Sequence, residues 1–163
     1  MISKDKLASF LVESNAIEGI YGIPTEETIE WAWSFLHKEE LHVSDIRNMV
    51  TVFQHDAQYR NKSIVPDVRV GGHIPMPSGP DVHYALVHIL DDINAEIGVL
   101  YKEHNVYEIH QRYEHLHPFT DGNGRSGRMI WLWMMVAIGY TYKLPFLQEW
   151  YYQSLANGKI DHG

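Results

Sequence analysis

Apolar residues recur along this chain at helical spacing almost throughout. Between Lys4 and Ile17, the positions Leu7, Phe10, Leu11 and Ser14 fall on one face, and Gly19 follows as a C-terminal cap. Pro24, Thr25, Glu26 and Glu27 have the character of a helix start and lead into a second helix carrying Trp31 and Phe35. Ser44 and Asp45 open a third, with Ile46, Met49, Val50 and Phe53 as its buried stripe. Further helical patterns cover Asp81 to Tyr101, Asn105 to Leu116, Arg125 to Ile138 and Pro145 to Leu155. Only Asp67 to Ile74 breaks the period. There Val68, Arg69 and Val70 alternate, and Gly71-Gly72 is the turn signal of a short β-hairpin. Pro75, Pro77 and Pro80 then bar a helix until Asp81. With no repeat and no linker, residues 1–163 read as a single all-α bundle with one small hairpin projecting from it.

Composition narrows the partners. The chain has 163 residues, 45% of them hydrophobic, which suits a folded domain with a real core. A net charge of −8 gives no general electrostatic reason to bind nucleic acid or an anionic membrane, so any nucleotide must be held by a local cluster of positive groups. Without cysteine there is neither a disulfide framework nor thiolate chemistry, which fits the reducing cytoplasm expected as its location. The start does not read as a signal peptide, because Glu13, Ser14 and Asn15 interrupt its apolar residues. Met129 to Tyr140, the most apolar stretch, is too short to span a bilayer and reads as a buried core helix. Trp131 and Trp133 are therefore assigned to the core. Trp150, Tyr151 and Tyr152 suit either a core or an interface between copies, so a homo-oligomer is compatible with the sequence.

The chemistry is concentrated in His117-Pro118-Phe119-Thr120-Asp121-Gly122-Asn123-Gly124-Arg125-Ser126-Gly127-Arg128, between two helical patterns. Its glycines let the backbone turn sharply and approach a ligand closely. Arg125 and Arg128, three apart, share a face at the first turn of the next helix, whose free N–H groups and positive dipole end favour an anion. Together these groups make a phosphate site. Asp121 supplies an oxygen ligand for a hard divalent ion bridging phosphates, and His117 is suited to taking a proton near neutral pH. A transition-metal site on His115, His117 and Asp121 is the competing reading, but such sites normally fix their ligands on regular structure.

This segment resembles the signature of the Fic family, His-x-Phe-x-Asp/Glu-Gly-Asn-Gly-Arg-x-x-Arg, at every fixed position. The helical organisation also looks like that fold, and Val68 to Pro75 is similar to the family's flap, a hairpin beside the active site. The resemblance implies a protein adenylyltransferase, which moves AMP from ATP to a Ser, Thr or Tyr hydroxyl of a target protein. It implies His117 as general base and Asp121 as the ligand of Mg²⁺ at the α- and β-phosphates. Asn123 and the amides of Gly122 and Gly124 would form the α-phosphate anion hole, with Arg125 on the β-phosphate and Arg128 on the γ-phosphate. Phe119 would anchor the loop in the core. Val70, Gly71, Gly72 and His73 would align the target by main-chain pairing.

Ser14-Asn15-Ala16-Ile17-Glu18-Gly19 is by itself a polar helix end, with Ser14 and Glu18 on one face. Beside the signature it resembles the family's inhibitory motif, Ser/Thr-x-x-x-Glu-Gly/Asn. The implication is that Glu18 pairs with Arg128 in place of the γ-phosphate, making residues 1–20 a movable brake. Removal of AMP at the same site is the nearest alternative reaction. Phosphate transfer, as in Doc relatives, is disfavoured because Gly122, Gly124 and both arginines are present. A non-catalytic nucleotide-binding module is the alternative from another class.

Overall fold

Side-chain caps set where the first helices begin. In the computed structural model, which describes residues 2–96 and 103–139, Ser3 Oγ accepts from the Lys6 N–H and Thr25 Oγ1 from the Thr28 N–H, each at 3.2 Å. They head α1 (Lys4–Ile17) and α2 (Glu26–Leu36). At α3 (Val43–Phe53) the Asp45 carboxylate reaches back to the His42 N–H at 2.8 Å. Pro80 stands as the first residue of α4 (Pro80–Glu96), where its missing N–H costs nothing. The bundle is completed by α5 (Glu103–Leu116) and α6 (Asn123–Ala137). The expected extension of α4 to Tyr101 and the expected helix from Pro145, with Trp150, Tyr151 and Tyr152, fall outside the described residues.

Helix α6 is the axis of the fold. Every residue from Asn123 to Met135 is buried, and α5, α3, α2 and α1 pack around it. Trp131 and Trp133 are core residues, as expected; Phe10 of α1 stacks on Trp131 at 6.4 Å, and Trp133 Nε1 donates to the Lys38 carbonyl at 3.1 Å. On α1, Leu7, Leu11 and Ser14 turn inward, and on α3 Ile46, Met49 and Val50 do so. Each such leucine, isoleucine or methionine contributes about 1.5–3 kcal/mol on burial. Helix α4 reaches α6 through α5 and is clasped to the start of α3 by Asn94, whose amide exchanges two hydrogen bonds with the Leu41 backbone at 2.9 and 2.8 Å.

The hairpin expected between Asp67 and Pro75 is not formed as paired strands, and the described residues contain none. Val70 and His73 exchange two backbone hydrogen bonds (3.0 and 2.9 Å) around Gly71, which is left-handed at φ 56°. The ladder stops there because Pro75 and Pro77 have no N–H to extend it. A second isolated bridge joins Tyr59 to Phe119, and it steadies the loop between α5 and α6.

Candidate functional site

Helix α5 ends without a glycine. His117 takes the left-handed conformation at φ 52°, and its N–H closes the last turn onto the Tyr113 carbonyl at 3.0 Å. A non-glycine residue rarely sits there, and it stays only where its surroundings hold it. Two layers do so. The 58–60 segment pairs with the loop, Arg60 N–H to Pro118 O and Thr120 N–H to Gln58 O, both at 2.9 Å. The fully buried Arg60 side chain also donates from Nε to the His117 carbonyl at 2.8 Å and from Nη2 to the Leu116 carbonyl at 3.0 Å.

The His117 ring is 4% exposed and its Nδ1 has no hydrogen-bond partner. Burial drives its pKa down to about 4, and the charge of Arg60 adds to this, outweighing the opposing backbone of Glu114 and carboxylate of Asp121. The imidazole is thus neutral at physiological pH, and its burial makes it a weaker proton acceptor than the free side chain on which the sequence expectation rests.

Beyond His117 the loop anchors itself. Phe119 is buried against Tyr59, and the Asn123 side chain grips the Phe119 peptide on both sides, accepting from its N–H at 3.0 Å and donating to its carbonyl at 2.8 Å. The Asn123 amide therefore braces the loop. Gly122, left-handed at φ 78°, is the N-cap of α6; a Cβ there would find room beside Val50 and Gln54, so it is the backbone conformation that favours glycine. The following N–H groups of Asn123, Gly124 and Arg125 lack intrahelical acceptors by position, as an anion site requires.

Asp121 is exposed; its Oδ1 accepts from the Gly122 N–H at 2.7 Å. Among the described residues no group of three or more His, Cys, Asp or Glu side chains could hold a metal ion by protein alone. A single exposed carboxylate beside an anion site nevertheless suits Mg²⁺, which is commonly bound by one or two carboxylates together with substrate phosphates.

The two arginines are held differently. Arg125 donates from Nη1 to the Phe53 carbonyl at 2.8 Å and from Nη2 to Gln54 Oε1 at 3.0 Å, while its buried Nε is unpartnered. Arg128, 2% exposed, donates from Nε to Ser14 Oγ at 2.7 Å, and from Nη2 to the Ser14 carbonyl at 2.9 Å and Glu18 Oε1 at 2.7 Å. The structure has Glu18 against Arg128, and Ser14 adds two contacts to the same guanidinium that the sequence did not specify.

Beneath Arg128 lies a polar layer that sequence reasoning missed. Glu114 and His110 of α5 are buried against Gly127, where an added Cβ would come within 2.1 Å of Glu114 Oε1. Burial holds the Glu114 pKa up at about 8 despite the pull of Arg128, and it presses His110 down to about 3. The signal available in the sequence was the glycine itself, standing inside an otherwise large-residue helix. The turn at Val70, Gly71, Gly72 and His73 lies beside α5: His73 stacks on His115 at 3.7 Å, and its Nε2 lies 2.9 Å from the His115 carbonyl.

Comparison with known proteins bears on the family. Among curated proteins, the protein adenylyltransferase Fic of Aedes aegypti is 32% identical over 74 residues, and that of Drosophila erecta 35% identical over 74 residues. Each match covers 45% of this chain and only 15% of the relative's length. A crystal structure of a Fic family protein from Desulfovibrio desulfuricans G20 aligns with a TM-score of 0.42 at 16% identity, covering 98% of this chain and 55% of that one. The model of the Fic/DOC family matches residues 37–135, most of the chain and the whole loop from His117 to Arg128, and the chain belongs to that family.

Proposed function

We propose that this protein transfers AMP from ATP to a hydroxyl of another protein, and that Glu18 holds it in a low-activity state. The observation that carries the reading is one assembly: a neutral, buried His117, an exposed Asp121, the free amides at the head of α6, and Arg125 and Arg128 on its first turns. In the reaction His117 takes the proton of the target hydroxyl. The hydroxyl oxygen then forms a bond to the α-phosphorus, the bond from that phosphorus to the oxygen bridging the α- and β-phosphates breaks, and pyrophosphate leaves. The amides of Asn123 and Gly124 stabilise the charge developing at the α-phosphate, with the Asn123 side chain keeping them in place, while the Gly122 N–H implied for the same role is held by Asp121 Oδ1. Arg125 binds the β-phosphate and Arg128 the γ-phosphate. Mg²⁺ held by Asp121 would neutralise phosphate charge when bound. The Val70–His73 turn aligns the target segment.

Glu18 opposes this because its carboxylate takes the Arg128 nitrogen that the γ-phosphate needs. ATP then binds with its phosphates displaced from the line of attack.

The test uses Glu18→Gly, a candidate target or host lysate, and ATP labelled on either the α- or the γ-phosphate. Label passing to protein from the α-position alone is the expected result. Label from the γ-position would mean phosphate transfer and overturn the reading.

A further inference from the structure

Arg60 is fully buried, yet no hydrogen bond from its side chain goes to a carboxylate. Besides the carbonyls of Leu116 and His117, its Nη1 donates to the Met76 carbonyl at 2.9 Å and to Ser78 Oγ at 3.2 Å. Ser78 in turn donates from Oγ to the Pro66 carbonyl at 3.1 Å and from its N–H to Asp67 Oδ1 at 2.8 Å. Both ends of the 66–78 loop, which carries the Val70–His73 turn, are thereby tied through one guanidinium to the last carbonyls of α5. A buried cation is costly unless every donor finds a strong acceptor, and carbonyls at a helix C-terminus are such acceptors. The planar fork can serve acceptors on two segments at once, which an ammonium cannot match.

We propose that Arg60 is a positioning residue for the transfer reaction, clamping the left-handed His117 backbone and the 66–78 loop into one geometry, so that the base and the target-aligning turn stay in register. The inference rests on the AMP-transfer reading. Arg60 touches none of the nucleotide-binding groups, so its loss should spare ATP binding and strike the chemical step. Its charge also faces His117, together with His73 and Asp121, and favours the neutral ring.

The experiment compares Arg60→Lys and Arg60→Met with their parent, the Glu18→Gly chain, in thermal midpoint, ATP affinity by calorimetry, kcat and KM, and the pH profile of kcat/KM. Both variants should bind ATP within about threefold of the parent while kcat falls by about 10²-fold, as a misplacement near 1 Å would cause. The acid limb, expected near the His117 pKa of about 4, should move to higher pH in Arg60→Met and move less in Arg60→Lys. If Arg60→Met does not fold, Arg60→Lys decides through its kcat and ATP affinity. Retention of kcat in a folded variant overturns the proposal, as does an ATP affinity that falls in parallel with kcat. A parent that transfers no AMP would instead overturn the AMP-transfer reading, and this inference with it.

Discussion

Helices α1 and α3 both reach the first turns of α6, each through one arginine, and they hold those arginines by different chemistry. Helix α3 offers Arg125 neutral acceptors, the Phe53 carbonyl at its own C-terminal end and the Gln54 amide oxygen. Helix α1 offers Arg128 the Ser14 hydroxyl and carbonyl and, one turn on, the Glu18 carboxylate. Charge-assisted hydrogen bonds are roughly twice as strong as neutral ones. On the AMP-transfer reading, a phosphate oxygen would compete with neutral acceptors for Arg125 but would have to displace a carboxylate to engage Arg128. Two arginines three residues apart thus have different duties: one is held ready, the other is contested.

The largest expected effect breaks this asymmetry at its source. Glu18→Gly removes a pair whose carboxylate is only 20% exposed, worth about 3 kcal/mol, so AMP transfer should rise by roughly 10²-fold in a labelled-ATP assay. Gly127→Ala acts on the floor beneath Arg128, where the new methyl meets the Glu114 carboxyl. The thermal midpoint should fall by an amount equivalent to about 1–3 kcal/mol. Ser14→Ala sharpens the comparison by removing the neutral part of the α1 grip while Glu18 stays. Its cost of about 1 kcal/mol should appear as a roughly fivefold rise in transfer, well short of Glu18→Gly. On the other side, Gln54→Ala should leave the brake closed, with no rise in transfer and a stability change below about 1 kcal/mol by urea titration.

The asymmetry was partly legible in the sequence. Helix α1 runs from Lys4 to Ile17 as its periodicity implies, with Gly19 left-handed at φ 73°. The loop from His117 to Arg128 stands out because glycines, arginines, a carboxylate and an imidazole gather in twelve consecutive residues. Arg60, Gln54 and Glu114 were not legible. The hydrogen-bond partners of the Arg60 side chain lie 16 or more positions away and are mostly backbone atoms, while Gln54 meets Arg125 and Glu114 meets Gly127 only through the fold; none of these pairings leaves a pattern in the sequence. Asn123 is implied by the resemblance to belong to the anion hole, and both ends of its side chain bind the Phe119 peptide. The alternation of Val68, Arg69 and Val70 suggests a strand, but the prolines that follow withhold the donors a ladder needs, so only one bridge forms there.

The most direct test of AMP transfer restrained by Glu18 is intact-mass detection of AMP on protein after incubation with ATP and Mg²⁺, using the native chain, Glu18→Gly, and Glu18→Gly combined with His117→Ala. The expected result is little modification by the native chain, strong modification by Glu18→Gly, and none by the double variant. Modification by the native chain equal to that of Glu18→Gly would remove the brake, and silence from a Glu18→Gly chain that still binds ATP would contradict AMP transfer itself.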